Sequence, residues 1–498
     1  MLDKVKILFW TDAFLLHYCL AHTIQQKTNA KIYGIFDVTD RLKPFFQKQD
    51  LVEYSEKWFY HDNISSKNIP NLEYLENFEK KYNIKLWTLA INERIFLQYN
   101  PFYKFNKNEI LSIIESECRF FEKILDEINP KYLVTLDPGL HHGHLLTQMC
   151  KSRSIPVLML NISKFPHLCY ISQSIHTLDE KLEKNDDQNF SFEQLQELLL
   201  SNNLSTHLEK LYSKMRKSKI AKLKAGLEVF LNENSNINTH FTYYGRSKTK
   251  LLVSELKQSQ ETKKRKKFLD NNSLTDIINK KFIYFPLNQE PERSLLIDAP
   301  YFTNQIETVR HIAKSIPIDY VLYVKEHPTQ GKARGWRPIS DYQKILDLPN
   351  VSLIHPDVSS IELIKNSSLV ITSGGSASFE APIFKKPSIM LGNLGFKEMG
   401  IHTIKSVDEL PDKIHFALDS TVNLKQLSTY ISTLLKNSFE FDFFGFQIRS
   451  GNTFFYNENL VDVEISEKDM EKFLDSEKSN LELLAMKHIE KIESYEKI

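Results

Sequence analysis

The chain has 498 residues, of which 41% are hydrophobic and 26% are charged. This length exceeds what one ordinary hydrophobic core supports, and it predicts two large domains. Lys and Arg (64) nearly balance Asp and Glu (63), so the composition disfavours a nucleic-acid binder, which needs a basic surface to neutralise phosphates.

The cysteines and the apolar segments exclude further classes of protein. Cys19, Cys118, Cys150 and Cys169 are scattered without a CxxC or Cys/His pairing, so neither a disulfide framework nor a zinc site is predicted. The N-terminal apolar stretch is short and flanked by charges, and no segment offers about 18 uninterrupted apolar residues. The sequence therefore predicts a cytoplasmic protein, either soluble or attached to a membrane face.

Strand and helix patterns alternate in the first part of the chain, which predicts a parallel sheet of the Rossmann kind. The predicted strands are Val5–Trp10, Lys31–Asp37, Glu53–Tyr60, Tyr132–Asp137 and Ile155–Asn161. The predicted helices are Phe14–Gln26, Glu109–Ile128 and His144–Arg153. From about residue 189 the sequence becomes helical and Lys-rich, as in KMRKSKIAKLKAG (214–226) and ETKKRKK (261–267).

A second alternation of strand and helix patterns follows in the chain. Its predicted strands are short, apolar and bounded by turn residues. These strands are Phe282–Pro286, Tyr320–Glu326, Val351–Ile354, Leu369–Thr372 and Ser388–Leu391. The predicted helices are Tyr301–Ser315, Ser340–Asp347, Ser359–Asn366 and Ser376–Phe384. The predicted fold is α/β, with two Rossmann-like domains (1–188 and 276–420) facing a central cleft. A helical interdomain region (189–275) and a helical C-terminal extension (421–498) complete it.

The segment ITSGGSASFEAPIFKKPSIMLG (371–392) carries the sharpest binding signal. An apolar strand runs into Ser373, Gly374, Gly375 and Ser376, and a helix starts at once, so free N–H groups and the helix dipole face the turn. Glycines permit close backbone approach to a phosphate. The hydroxyls of Ser376 and Ser378 can donate hydrogen bonds, and Glu380 can accept from ribose hydroxyls. A tight strand–helix turn with an ordinary N-cap is the alternative.

A second signal is YVLYVKEHP (320–328), an apolar strand that ends in Lys325, Glu326, His327 and Pro328. Such groups at a strand end are either solvated at the rim or engaged with a ligand. His327 can donate to a phosphate oxygen, Pro328 fixes the turn, and Lys325 adds positive charge. The phosphate-type turn in the same half of the chain favours the ligand.

In these segments the chain resembles the capsule polysaccharide biosynthesis proteins related to Kdo transferases. That family is similar in its two-Rossmann, GT-B-like architecture to the bacterial sialyltransferases with an His-Pro motif. The resemblance covers roughly residues 280–410. It is carried by FIYFPLNQEPERSLL (282–296), YVKEHP (323–328), the stretch from LPNVSLIHPD to SGGSASFEA (348–381) and KKPSIMLG (385–392).

The resemblance implies a donor site. Lys325–Pro328 and Ser373–Glu380 would hold the nucleotide and phosphate of a CMP-activated or similar sugar, with Asn288, Gln289 and Glu290 lining the cleft opposite. The family's second motif resembles SGT or TGT, whereas this chain has SGG. Gly375 thus removes a hydroxyl donor, which alters the donor contact at this position.

The catalytic carboxylate is expected from the first domain, since the acceptor has to approach the donor across the predicted cleft. Asp137 ends a predicted strand, and His141, His142 and His144 follow it. A carboxylate there can take the acceptor's proton or attack the anomeric carbon, and His141 can tune its pKa or donate to the leaving phosphate. Asp12, after the first strand, is the second candidate. Capping of the following turn or helix is the alternative for both aspartates.

No metal site is predicted. HHGH lacks the i, i+4 histidine pairing of helical zinc motifs, although distant ligands could complete a loop site. No convincing DxD follows a Rossmann strand. Phosphate neutralisation is instead expected from His327, Lys325 and the helix N-terminus, with a nucleotide sugar as co-substrate and no further cofactor.

The predicted function is transfer of a sugar, first Kdo or a nonulosonate from a CMP donor, onto a cell-surface polysaccharide or glycolipid acceptor. A hexosyl donor on UDP or GDP is a variant of it. A two-Rossmann nucleotide-sugar epimerase and a non-catalytic glycan-binding partner remain open. The basic run Lys263–Lys267 is either a solvated helix face or a peripheral contact with anionic lipid at the inner membrane face.

Overall fold

The computed structural model describes the chain except residues 1, 3, 98, 166, 181, 183–189, 202–218, 278–280, 334, 393–394 and 497–498. Part of the predicted interdomain region, 202–218, therefore lies outside the described residues. Among the residues described, no helix is both long enough and apolar enough to cross a bilayer.

Thirteen strands are present in the described residues. They are β1 Lys6–Asp12, β2 Lys31–Asp37, β3 Tyr54–Phe59, β4 Tyr132–Leu136, β5 Val157–Ile162, β6 Leu168–Ser172, β7 Phe282–Pro286, β8 Val321–Lys325, β9 Val351–Ile354, β10 Leu369–Thr372, β11 Ser388–Met390, β12 His402–Thr403 and β13 Phe439–Glu440.

The described helices of the first half are α1 Leu16–Lys27, α2 Lys43–Lys48, α3 Leu72–Tyr82, α4 Leu86–Asn92, α5 Lys107–Ile128, α6 His141–Ser152, α7 Phe192–Ser201, α8 Lys219–Leu231, α9 Asn236–Thr239 and α10 Lys248–Asn272. Those of the second half are α11 Arg293–Leu296, α12 Gln305–Ser315, α13 Gln330–Ala333, α14 Ile339–Leu346, α15 Ser360–Asn366, α16 Ser376–Ile383, α17 Leu410–Asp419, α18 Leu424–Lys436, α19 Phe443–Phe454, α20 Glu467–Ser476 and α21 Lys478–Glu496.

The chain forms two compact units, each discontinuous in sequence. Unit 1 consists of Met1–Ile175, Leu204–Lys248 and Ser438–Ile498, and unit 2 of His176–Asn203 and Thr249–Asn437. These bounds differ from the predicted boundaries at 188, 275 and 420. The predicted interdomain region and C-terminal extension each contribute to both units, because a helical pattern does not reveal which sheet a helix packs on.

Unit 1 contains a seven-stranded sheet in the order β13-β6-β5-β4-β1-β2-β3. Strands β1 to β5 pair in parallel, whereas β6 and β13 add antiparallel pairs at one edge. The centre of strand β1, Ile7–Trp10, is apolar on both of its sides because helices cover both faces of the sheet. Ile7 and Phe9 point into one core, and Leu8 and Trp10 into the other.

The last helix, Lys478–Glu496, packs against Leu16–Lys27 within unit 1. Leu481, Leu484 and Ile492 are buried in the same core as Ile7. The predicted helical C-terminal tail is thus confirmed, and its apolar stripe forms part of the core of this unit.

Unit 2 contains a six-stranded sheet in the order β12-β11-β10-β7-β8-β9, and all its strand pairs are parallel. Its core gathers residues of α10, α12, α14 and α17 around the central strands. The predicted α/β class with two Rossmann-like sheets is therefore confirmed.

In each sheet, the strand that comes first in the chain is the point where successive strands change from one side to the other. In unit 1, β2 lies on one side of β1 and β4 on the other; in unit 2, β8 lies on one side of β7 and β10 on the other. Open parallel sheets bind ligands beyond the carboxyl ends of their strands at such a reversal. The fold therefore directs attention to the residues that follow β1 and β4, and to those that follow β7 and β10.

Candidate functional site

In unit 2, the residues that follow β7 and β10 are hydrogen-bonded to each other. The side-chain nitrogen Nδ2 of Asn288 donates to the carbonyl of Gly374 at 2.9 Å. Helix Ser376–Ile383 begins directly after this turn, with Gly375 at the N-cap and no side-chain cap. Its first N–H groups lack intrahelical partners, so they and the helix dipole favour an anion at the turn.

Three buried polar atoms near this turn make no hydrogen bond with any described residue. They are Oδ1 of Asn288, Oγ1 of Thr372 and Oγ of Ser373. A buried polar group without a partner costs about 1–3 kcal/mol, so such a group calls for a bound water, an ion or a ligand. The two hydroxyls can donate as well as accept, and this suits an anionic ligand such as a phosphate.

Two glycines near the turn have opposite surroundings. A Cβ added at Gly375 would meet one described atom within 4 Å, Nδ2 of Asn288 at 3.9 Å, so this glycine faces open space. A Cβ at Gly392 would lie 2.5 Å from the Ser373 carbonyl oxygen and 2.9 Å from that of Asp298. The Gly392 N–H also donates to the Ser373 carbonyl at 2.8 Å. Gly392, the last residue of the KKPSIMLG motif, thus supports the turn.

The predicted segment Lys325–Pro328 begins with the last residue of β8, the strand that pairs with β7 on the side away from β10. Lys325 is buried, and its ammonium donates to Ser360 Oγ at 2.9 Å. The Glu326 carboxylate accepts from the His327 N–H at 2.7 Å, from Arg337 Nε at 2.7 Å and from the Tyr342 hydroxyl at 2.8 Å. Glu326 is therefore committed to organising its loop.

His327 is held as a neutral hydrogen-bond donor. Its Nδ1 accepts from the Thr329 N–H at 3.3 Å, which leaves the ring proton on Nε2. Burial, together with the positive charges of Lys325 and Arg337, lowers the pKa of His327 to about 4. Near pH 7 the imidazole can therefore donate to a phosphate from Nε2 but carries no charge. Lys325 and the helix N-terminus supply the positive potential in this part of unit 2.

Arg337 is a buried residue of this site that the sequence analysis missed. Its guanidinium lies 2.6 Å from Glu290 Oε2 and 2.7 Å from Glu326 Oε2, and it donates to the Asn288 carbonyl at 2.5 Å. Gln305 also donates to Glu290, at 2.5 Å. Arg337 thus links the loops that follow β7 and β8. In the sequence, Arg337 is a single arginine in GWRP (335–338), between a predicted strand and a predicted helix, and this pattern alone does not indicate a buried residue.

The other predicted donor-site residues come after β7, after β8 or in the helix after β10. Gln289, Pro328 and Ser376 are half-buried, and Glu380 is buried within the helix. The Ser378 hydroxyl donates back to the Gly375 carbonyl at 2.8 Å. Ser378 therefore stabilises the first helical turn, and the ribose contact of Glu380 stays a prediction.

In unit 1, three aspartates end three neighbouring strands. Asp37 is the last residue of β2, Asp12 is the last of β1, and Asp137 follows β4. Asp12 and Asp37 are direct partners in the β1–β2 register, which places their backbones roughly 5 Å apart. Both carboxylates predicted from the sequence, Asp12 and Asp137, thus lie at the strand reversal, and Asp37 joins them.

The surroundings of Asp12 and Asp37 shift the pKa values of the two carboxyl groups in opposite directions. Burial raises the pKa of Asp12 to about 7; the Asp37 charge adds to this, and the hydrogen bond from the Phe14 N–H at 3.0 Å opposes it. Burial also acts on Asp37, but His142 and His61, at 3.2 and 3.0 Å, hold its pKa well below the usual range. Asp12 can therefore exchange a proton near neutral pH beside an ionised carboxylate.

The backbone just beyond Asp12 is strained. Leu15 has a φ of 62° and a buried side chain. The left-handed region is unfavourable for a residue with a branched Cγ, and such strain concentrates at functional sites. This turn fixes the end of β1 at the strand reversal.

His141 is the centre of a buried charge cluster. Its Nδ1 lies 2.7 Å from Glu93, its Nε2 lies 3.0 Å from Glu117, and Glu117 also accepts from the Tyr60 hydroxyl. Burial would lower the pKa of His141, but the two carboxylates outweigh it and raise the pKa to about 10. Because both ring nitrogens are engaged, the geometry favours a positioning role over the direct catalytic role predicted for His141.

The same cluster is where the described residues could hold a metal. Glu117, His141 and His142 each offer a ligand atom, and these atoms lie within 4.8 Å of one another. In the observed geometry both nitrogens of His141 contact carboxylates, and Nε2 of His142 contacts Asp37. His141, with both nitrogens on carboxylates, has the pattern of an ion pair. Nδ1 of His142 is buried and makes no hydrogen bond with a described residue, so His142 could offer that nitrogen to an ion. Metal independence stays a prediction.

Most of the basic run Lys263–Lys267 has partners within unit 2. Lys264 lies 3.7 Å from Glu261, Arg265 donates to the Trp336 carbonyl at 2.5 Å, and Lys266 lies 3.0 Å from Asp270. These pairs favour the solvated helix face, and lipid contact through this run stays a prediction.

Comparison with known proteins shows what part of the chain is similar to. The family model described as capsule polysaccharide biosynthesis protein matches residues 195–424. A search of curated proteins found no match.

Among solved structures, the chain is similar to the UDP-GlcNAc 2-epimerase from Methanocaldococcus jannaschii, with 14% identity over 87% of this chain and 99% of that chain and a TM-score of 0.25. It is also similar to two Thermosulfurimonas dismutans KpsC structures. The beta Kdo 2,7 transferase is 13% identical over 62% of this chain and 79% of that chain. The beta Kdo 2,4 transferase is 10% identical over 60% of this chain and 78% of that chain. The TM-score is 0.29 for each of them. The family match spans all six strands of unit 2, and it confirms that over residues 195–424 the chain resembles capsule polysaccharide biosynthesis proteins.

Proposed function

We propose that this protein is a glycosyltransferase that moves a sugar from a nucleotide donor onto a capsule polysaccharide or glycolipid acceptor. One observation carries the proposal: an uncapped helix N-terminus follows β10 at the strand reversal of unit 2, and Asn288 ties it to the end of β7. This turn lies within the segment that resembles capsule polysaccharide biosynthesis proteins.

The donor phosphate would lie against the N–H groups of Gly375 and Ser376. Nε2–H of His327 and the ammonium of Lys325 would be further donors from the adjacent strand end. A CMP-linked sugar carries one phosphate charge, which a helix N-terminus and one ammonium can balance. For this reason CMP-Kdo or a CMP-nonulosonate is the first donor to test, before a UDP or GDP sugar.

Unit 1 would supply the carboxylate for the chemistry. As a general base it takes the proton of the acceptor hydroxyl while that oxygen attacks the anomeric carbon and the nucleotide leaves; as a nucleophile it forms a glycosyl-enzyme first. A pKa of about 7 makes Asp12 the stronger candidate for the base, ahead of Asp137. Asp37 and its two histidines would keep a fixed negative charge beside it.

Nucleotide binding tests the proposal. A bound ligand stabilises the fold by RT ln(1 + [L]/Kd), about 2.7 kcal/mol at a hundredfold excess over Kd. Thermal unfolding should therefore shift upward with CMP or a CMP sugar. His327→Ala should weaken that shift without lowering the unfolding temperature of the free protein, since the side chain is only half-buried. If CMP, UDP, GDP and their sugars all leave the transition unchanged, the proposal fails.

A further inference from the structure

The helix Lys219–Leu231 of unit 1 turns its large apolar side chains to solvent. Its opposite face carries Ala221 and Ala225, which are buried, and Glu228, which pairs with Arg41 at 2.8 Å. The five large apolar residues are 55% to 81% exposed and fall along one stripe at 3.6 residues per turn: Ile220, Leu223, Leu227, Phe230 and Leu231.

Basic residues accompany this stripe. Lys222 and Lys224 are exposed, and Lys219 precedes Ile220 in the sequence. The single acidic residue of the helix is Glu228, on the buried face. The solvent-facing surface of the helix is therefore both apolar and positive.

We propose that this helix lies on an anionic lipid surface, with the stripe in the boundary between headgroups and acyl chains and the lysines at lipid phosphates. Helices in soluble proteins ordinarily bury large apolar residues and expose small or polar ones, and here the order is reversed. An apolar face bordered by lysines is the pattern of an interfacial helix.

The lysines beside the stripe favour an anionic lipid surface over a second copy of the chain. A symmetric contact through the stripe would bring the lysines of one helix towards those of the other, whereas anionic headgroups neutralise them. In the basic run Lys263–Lys267, by comparison, no large apolar side chain interrupts the charges, and Lys264, Arg265 and Lys266 have protein partners. The inference depends on this helix alone and does not require the proposed transferase activity.

Sedimentation of the full-length protein with vesicles tests the proposal. The protein should bind vesicles of mixed phosphatidylglycerol and phosphatidylcholine and bind phosphatidylcholine alone more weakly. Leu223→Ser/Leu227→Ser should reduce binding by roughly tenfold or more, and Lys222→Glu/Lys224→Glu should remove the preference for anionic lipid. Ile69→Ser/Leu72→Ser is the matched control, because it removes two exposed aliphatic side chains elsewhere in unit 1 and should bind like the wild type.

Four outcomes would overturn the proposal. The first is absence of wild-type binding to anionic vesicles, and the second is equal binding by the Leu223→Ser/Leu227→Ser variant with an unchanged urea transition. The third is loss of binding in Lys263→Glu/Lys264→Glu but not in either variant of the helix, which would move the contact to the basic run. The fourth is a wild-type protein that is a dimer and does not bind vesicles, when the Leu223→Ser/Leu227→Ser variant is a monomer. That result would assign the stripe to a contact with a second copy of the chain.

Discussion

Asp12 and Asp37 show how neighbouring residues acquire different chemistry. They are register partners at the ends of β1 and β2, yet Asp37 receives hydrogen bonds from two histidines and Asp12 receives one from a backbone N–H. The pKa of Asp37 falls and that of Asp12 rises to about 7. Titratable groups whose pKa values are pushed apart in this way are suited to separate acid–base roles.

The first prediction concerns turnover by Asp12→Asn. An amide keeps the shape of the carboxyl group but cannot accept the acceptor's proton, so turnover should fall by roughly a hundredfold or more while donor affinity changes within a few-fold. In the wild type, kcat/KM should rise with pH through about 7, as Asp12 loses its proton, and the variant should lack this rise. A pH–rate profile of both proteins measures it.

Asp137→Asn is the matched comparison for that experiment. Loss of activity in Asp12→Asn alone assigns the base to Asp12, and loss in Asp137→Asn alone assigns it to the residue after β4. Full activity in both variants would place the catalytic group elsewhere.

The second prediction concerns His141, which lies between Glu93 and Glu117 in the core of unit 1. His141→Ala leaves two buried carboxylates without their cation, and breaking a buried ion pair costs about 3–5 kcal/mol. Urea unfolding should show a loss of this size. His144→Ala, on the same helix but half-buried, should cost less than about 1 kcal/mol. Equal transitions for the two variants would contradict the importance of the cluster.

At the scale of elements, helix Ser376–Ile383 gives the third prediction. Gly375 has an extended φ of −134° and open space at its Cβ, so Gly375→Ala should fold normally. The added methyl group should nevertheless obstruct a phosphate at the helix N-terminus and weaken nucleotide binding. Gly392→Ala should behave in the opposite way and lower the unfolding temperature, because its Cβ would collide with the Ser373 carbonyl.

Calorimetric titration and thermal unfolding of both glycine variants separate binding from stability. Unchanged nucleotide affinity in a folded Gly375→Ala protein would show that the turn is only structural.

Local pattern predicted the elements of unit 2 closely, and its errors have identifiable causes. Phe282–Pro286, Val351–Ile354 and Leu369–Thr372 match the observed strands. The helix predicted from Tyr301 begins at Gln305, because Asn304 caps it by accepting from the Glu307 N–H. In unit 1, the helix predicted from His144 begins at His141, whose N–H donates to the distant Glu93. A cap supplied by another element leaves no local signal.

The candidate site was predictable where chemistry sits at strand ends and was missed where it depends on long-range contacts. Asn288, the Ser373 turn, Asp12 and Asp137 follow apolar strands, and parallel strands bring such residues to one sheet edge. Asp37 also ends an apolar strand, so it could have been predicted as a site residue on the same grounds. Glu93 and Glu117 lie in or beside helices, where charged residues usually face water, and only the contact with His141 reveals their burial.

At the scale of the whole molecule, unit 1 depends on the end of the chain. Leu484, in the last helix, is fully buried in the core that contains β1. The fourth prediction is that Leu484→Ala costs about 2–5 kcal/mol, the range for such core truncations. Met486→Ala on the same helix removes a side chain that is 44% exposed and should cost far less. Urea unfolding compares them, and similar losses would contradict the assignment of this helix to the core.

The central claim is that the protein transfers a sugar, and acceptor-dependent nucleotide release tests it most directly. Purified protein is incubated with CMP-Kdo, and separately with a CMP-nonulosonate, UDP sugars and GDP sugars, with and without capsule polysaccharide or glycolipid acceptor. Glycosyl transfer predicts that one donor releases its nucleotide only when acceptor is present, together with a glycosylated acceptor of the corresponding mass. Conversion of a nucleotide sugar to an isomer without acceptor, or no turnover of any donor by a protein that binds no nucleotide, would contradict it.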